Sequence, residues 1–228
     1  MSLHARGITA ALVAAFAMAA CSSASRAAPR TSPEPATRSA SDSVAMAKAR
    51  ADSVRHPYTQ ADVDFMSHMI GHHAQAIVMS NWAPTHDANP SLRTLAARII
   101  NAQQDEIATM QQWLRDRREP VPEARPVGMK MMMNGAEHEM LMPGMLTEAQ
   151  MQQLDQAKGP EFDRLFLTFM IQHHKGAVTM VKDLFGTNGA AQDELVFKFA
   201  NDVNVDQSTE IARMERMLGA LPPAQASQ

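Results

Sequence analysis

The 228-residue chain contains one cysteine, so no disulfide can form within it and something else must stabilise its fold. Basic charge is not in excess either. Its 21 Lys and Arg against 24 Asp and Glu leave a formal net charge of −3, which offers nucleic acid no electrostatic footprint. The N-terminal apolar run, residues 8–17, is too short to cross a bilayer as a helix. Strand signals are weak throughout. Hydrolysis has no foothold: no nucleophile–base pair, glycine-rich phosphate loop or zinc-protease motif is present. No Glu is followed by His three residues later, the pairing that di-iron sites in helical bundles use.

What the chain has in plenty is methionine, 19 residues against 14 Leu. Met is a flexible core filler, and its thioether is also a soft metal ligand. Seven of the 19 fall between Met129 and Met145, with His138 among them.

The first residues read as an export signal, 1–20, with Arg6 as its positive start and Ala19-Ala20 before a cleavage site. Cys21 then stands where a bacterial lipobox places its lipid-modified cysteine. These features predict an exported protein, lipid-anchored in the cell envelope and facing the periplasm. Residues 21–57 are rich in Ser, Ala, Pro and Arg and cannot bury enough apolar surface to offset their ordering entropy, so they form a tether. The folded domain is expected over 58–219, with a short tail at 220–228.

Helix signals are strong within that domain. Thr59 and Asp62 open a helix that stops before Pro84, and Asn89-Pro90 opens another running to about Arg118. Thr147 and Gln150 form a capping box for a short helix that Gly159-Pro160 ends. Pro160 opens a helix reaching Phe185, and a last helix runs from about Ala190 to Leu218, with Gly219 as its stop.

The pattern is duplicated. "MIGHHAQAIVM" (Met69–Met79) and "MIQHHKGAVTM" (Met170–Met180) share Met-Ile-x-His-His and a trailing Met, 101 residues apart. Asp62 and Phe65 match Asp163 and Phe166. In the second helices Glu106, Ile107 and Met110 fall over Glu210, Ile211 and Met214. The unit is a helical hairpin, present at about 59–118 and 160–219, joined by a Met-rich linker at about 119–146. Two hairpins predict an all-α four-helix bundle with a short extra helix. Gly and Pro predict a loop or irregular segment for the linker.

At about 100° per residue, His72 and His73 flank the core-facing stripe with Met69 between them. His173, His174 and Met170 repeat that geometry. Each pair lies near mid-helix, so all four histidines are expected to converge on the bundle interior. Imidazole with thioether suits copper, as Cu(I), and silver follows the same logic. Iron, Mg, Ca and structural zinc would want more carboxylates or thiolates. Neutral imidazole is the ligand form, which predicts weaker binding below about pH 6. Met69, Met170, Met79 and Met180 are candidate thioether ligands whose positions favour core packing, Met79 and Met180 the more so. Glu106 and Glu210 are either acceptors of a histidine N–H or solvated edge residues. Met129, Met131, Met132, Met133, His138, Met140, Met142 and Met145 either capture metal or fold back as apolar cover. Asp62 and Asp163 are read as ordinary first-turn acids, and Trp82 and Trp113 as packing anchors.

The segments "MPGMLTEAQMQQLDQAKGPEFDRLFLTFMIQHHKGAVTM" and "AQQDEIATMQQWL" closely resemble the bacterial domain-of-unknown-function family 305. The resemblance covers roughly residues 58–219. It implies a ferritin-like fold and kinship with periplasmic copper- or silver-binding proteins linked to metal resistance. It also marks Met69, His72, His73, Met79, Met170, His173, His174 and Met180 as the motif positions. The expected function is therefore copper sequestration or transfer by a binding protein, not an enzyme, whose partners are the metal ion and the membrane. A di-iron oxidase and a non-metal envelope interaction protein stand as alternatives. The residues name neither a metal-transfer partner nor an oligomeric state.

Overall fold

The computed structural model describes residues 58–126, 128–133 and 136–223. The signal segment, Cys21, the tether and the end of the tail lie outside the described residues. Within them the chain forms α1 (Gln60–Trp82), α2 (Pro90–Arg117), β1 (Met129–Met133), β2 (Ala136–Met140), α3 (Glu148–Gln156), α4 (Gly159–Gly186) and α5 (Glu194–Gly219).

The helix ends follow local chemistry. Asn89 accepts the Leu92 N–H at 3.0 Å while Pro90 occupies the first turn of α2. Arg118, left-handed at φ 61°, closes that helix. Thr147 and Gln150 form the capping box expected for α3. Helix α5 starts later than the sequence predicts because Asp193 is the cap, accepting the N–H groups of Leu195 and Val196 at 3.1 Å each.

The linker departs from the expected loop. Residues Met129–Met133 pair antiparallel with Ala136–Met140, in a register that sets Met129 opposite Met140 and Met131 opposite His138. Asn134-Gly135 stands between the two strands in sequence, the dipeptide that most strongly favours a two-residue hairpin connection.

Helices α1 and α2 pack as one hairpin and α4 and α5 as the other, and α1 against α4 joins them. The core is split in two. One cluster takes Val63 to Ile70 of α1, Ile107 to Leu114 of α2, Ala177 to Leu184 of α4 and Val196 to Val203 of α5. The other takes the opposite halves of the same helices, with Ala76 and Met79, Leu92 to Ile99, Phe162 to Ile171 and Met214. N-terminal halves thus meet C-terminal halves, so α1 runs antiparallel to α4 and α2 antiparallel to α5. Between the clusters every long helix contributes a polar middle.

Two acids tie the hairpins together. Asp62 of α1 is fully buried. It accepts the Thr59 N–H at 2.7 Å and, from the turn before α5, the Ala191 N–H at 2.6 Å. Asp163 of α4 accepts the Asn89 backbone N–H at 3.1 Å and its side-chain amide at 2.7 Å, at the start of α2. Each acid therefore holds the turn of the opposite hairpin, a larger role than the helix capping expected of it.

Candidate metal centre

The polar middle is built around four imidazoles. His72, His73, His173 and His174 are all 0% exposed. The rings of His72 and His173, one from each hairpin, stack with centroids 3.8 Å apart and planes inclined at 38°. His73 lies 6.4 Å from His72, and His174 lies 6.2 Å from His173, each pair inclined at 56°. The two copies of the motif thus meet across a pseudo-twofold axis, with ring contacts running from His73 to His72, His173 and His174.

Three of the four rings hydrogen-bond through Nε2, and the fourth has a carboxylate beside it. His72 Nε2 donates to the Pro143 carbonyl at 3.0 Å, and His173 Nε2 donates to the His72 carbonyl at 3.0 Å. His174 Nε2 donates to Glu210 Oε2 at 2.7 Å. His73 Nε2 stands 2.7 Å from Glu106 Oε2, off the line of a hydrogen bond but in the matching position. A carbonyl or carboxylate only accepts, so these partners put the ring proton on Nε2 and the lone pair on Nδ1. All four Nδ1 atoms are buried and none has a hydrogen-bond partner. Four orphaned buried acceptors in one layer are costly, and metal-binding histidines carry their second nitrogen on a carbonyl or carboxylate in this way.

Protonation does not satisfy the central pair either. Burial first, and repulsion from His73, drive His72 down to about 3, against the opposing Pro143 hydrogen bond, and His174 adds to the fall. Burial, with His72, His174 and His73 as neighbours, also holds His173 well below its ordinary value. Burial therefore favours the neutral, ligand form of these two rings.

The linker closes one side. Gln75 donates to the Leu146 carbonyl at 3.1 Å and accepts the Leu146 N–H at 2.7 Å. Gly144, at φ 78°, lies backbone to backbone on Gly176 of α4. A Cβ at Gly176 would sit 1.9 Å from the Pro143 carbonyl oxygen, so no other residue fits without moving the strap. Met142 and Met145 are buried in the core beside Met66 and Met69, so these two serve as apolar cover. Met140 is exposed. The side chains of Met129, Met131, Met132, Met133 and His138 lie outside the described residues.

Met69 and Met180 belong to one core cluster, Met170 and Met79 to the other. Met69 and Met170 border the imidazole layer by one turn of helix. Met79 and Met180 lie about 9 Å along the helix from the nearer histidine, within apolar packing. Glu106 and Glu210 are neither wholly solvated nor buried, at 19% and 20% exposure, and each reaches its histidine. Trp113 is buried and donates its Nε1–H to Asp193 at 3.1 Å, whereas Trp82 is only half-buried. Among the described residues no three of His, Cys, Asp and Glu are gathered closely enough to hold an ion by themselves. The buried donors of the layer are imidazole nitrogens, with the thioethers of Met69 and Met170 one helical turn away, a soft set.

Sequence reasoning passed over Gln103 and Gln207, which are 1% and 3% exposed on α2 and α5. Each interrupts the apolar stripe of its helix, three residues before Glu106 and Glu210, and the aligned "QQDE" and "QSTE" carry that signal.

A family model described as a domain of unknown function, DUF305, matches residues 62–218. A solved DUF305 fragment from Deinococcus radiodurans is 29% identical, with a TM-score of 0.60 over 72% of this chain and 99% of that one. CopM in its Cu(II)-bound form is 30% identical, with a TM-score of 0.53 over 69% of this chain and 95% of that one. Its Cu(I)-bound form is 29% identical with a TM-score of 0.52 and the same coverage. A curated protein of Acanthamoeba polyphaga mimivirus is 40% identical over 63 residues, 26% of this chain, and the chain spans only 41% of its length. The duplicated histidine hairpins, matched along nearly the whole of the described helical region, make this chain a member of the DUF305 family.

Proposed function

We propose that this chain is an exported binding protein whose cargo is a soft monovalent cation, Cu(I) and equally Ag(I), held at the waist of the bundle. The observation that carries this reading is the set of four buried Nδ1 atoms without partners. Nδ1 of His72, His73, His173 and His174 are the nitrogen donors. Met69 and Met170 bring thioethers from the two sides of the layer, and Met79 and Met180 remain packing residues. Glu106 and Glu210 orient His73 and His174 and fix their tautomer. The solved Cu(I)- and Ag-bound forms of CopM support the choice of cargo. Export and lipid attachment at Cys21 are carried by the N-terminal sequence alone. The protein binds and releases its ion and carries out no reaction on it.

Competition titration of the full chain against a chromophoric Cu(I) chelator tests this. Tight uptake is expected, lost in the His72→Gln/His173→Gln variant while its helical circular dichroism persists. No uptake by the wild type, or iron-dependent oxygen consumption in place of copper binding, overturns the reading.

A further inference from the structure

One side of the imidazole layer is shut by the strap, which touches α1 at His72 and Gln75 and α4 at Gln172 and Gly176. His73 and His174 lie about 160° round their helices from Gln75 and Gln172, towards α2 and α5. Any path to the layer on that side passes the middles of these two outer helices.

Those middles are lined with oxygen. Gln103 replaces an apolar residue in the stripe that runs through Leu92, Leu95, Ile99, Ile107 and Met110 of α2. Gln207 does the same in α5 between Val203 and Met214. Both amide atoms of Gln103, and the amide oxygen of Gln207, are buried without a partner, a state that native cores rarely leave unexplained. Outside them stand Glu106 and Glu210, partly exposed, and the exposed Asp206. Asp206 stands one turn before Glu210 on α5, and its carboxyl is raised first by burial and then by Glu106, Asp202 and Glu210. Among the described residues the only ion-pair partners of Glu106 and Glu210 are the two histidines.

We propose that Gln103, Gln207, Glu106, Glu210 and Asp206 form the entry port through which a hydrated soft cation reaches the four imidazoles. The carboxylates concentrate the ion, since a cleft lined with one sign of charge raises association rates by about 10- to 1000-fold and loses that gain with salt. The buried amide oxygens then replace its departing water molecules. The Nδ1 lone pairs receive it. This inference rests on the proposed function and adds the route. It also distinguishes the glutamines from a pair kept only to set helix register, a role that polar core residues fill elsewhere.

Ag(I) supplied as nitrate to the full chain in chloride-free buffer, followed by stopped flow against a chromophoric chelator, provides the test. Asp206→Asn is expected to slow association about threefold or more at low ionic strength and to flatten its salt dependence. Gln103→Leu/Gln207→Leu is expected to slow uptake and release by the same factor, about tenfold, which a register role would not do. Asp183→Asn, an exposed acid near the end of α4, controls for net charge. Wild-type rates in both the Asp206 and the glutamine variants overturn the port alone. Absence of Ag(I) uptake by the wild type overturns the proposed function and the port together.

Discussion

The two hairpins agree where they meet the outer helices and differ where they meet each other. His73 with Glu106 and His174 with Glu210 have the same 2.7 Å separation and nearly the same exposure. His72 and His173 do not match: one Nε2 is held by the strap carbonyl of Pro143, the other by the backbone of His72 itself. A duplicated hairpin supplies paired donors, but only one linker joins the copies. That linker must cross the axis and can satisfy only one of the two central rings. Symmetry therefore governs the ligands and their carboxylates, and asymmetry governs closure.

The comparison can be broken most severely at the strap. Gly176→Ala forces a methyl group against the Pro143 carbonyl. Overpacking with loss of the docked strap is expected to cost about 3 kcal/mol, read as a lower midpoint in urea. The equivalent position in the first hairpin, Gln75, already carries a side chain that grips the strap, so the two sites are not interchangeable. Next come the latches. Asp62→Ala leaves the buried Ala191 N–H and the half-buried Thr59 N–H unpaired and is expected to cost about 2–3 kcal/mol. Asp163→Ala, with its contacts confined to Asn89, is expected to cost about 1–2 kcal/mol. Equal losses in chemical denaturation would show that the two latches are equivalent after all.

The carboxylates sharpen the symmetric half of the comparison. Glu106→Gln and Glu210→Gln are each expected to lower Cu(I) affinity by about tenfold, and by the same factor in competition titrations. A loss confined to one of them would mean that the two histidine pairs do not share the load. The mildest effect is on pH. His72 titrates near 3 in the folded chain against a usual 6.5, so the unfolded state binds more protons between those values. Its contribution is whole above about 6.5 and declines as pH falls towards 3, by about 1.4 kcal/mol per pH unit. His173 is lowered for the same first reason, burial, and steepens the decline. Urea midpoints of the metal-free chain that stay constant from pH 7 to 4.5 would contradict this.

Much of this arrangement is legible in the residues themselves. Capping pairs and prolines mark the helix boundaries within a few residues, because those signals act locally. The doubled Met-Ile-x-His-His places four imidazoles at mid-helix, and antiparallel packing keeps mid-helix positions level. Other features depend on what is distant in sequence. Asp62 looks like a helix cap because its second partner, Ala191, lies 129 residues away. The strap is hidden because its grip is a backbone contact at Gly144 and Gly176, which no hydrophobic pattern records. The hairpin at Met129–Met140 was masked by methionine, a weak strand former, although Asn134-Gly135 announces it. Gln103 and Gln207 were readable as polar breaks at matching points of two apolar stripes. Their meaning appears only when both are seen buried one turn before the carboxylates that meet the histidines.

The central claim is that the buried Nδ1 atoms of both hairpins receive a soft cation while Nε2 stays protonated on its protein partner. Long-range ¹H–¹⁵N spectra of the imidazoles, recorded before and after adding Ag(I), address it directly because the ion is diamagnetic. The account predicts that the Nδ1 resonances of His72 and His173 move on binding while their Nε2 nitrogens keep their protons. Unmoved Nδ1 resonances with Ag(I) bound, or coordination through Nε2 with release of the Pro143 and His72 carbonyls, would contradict it.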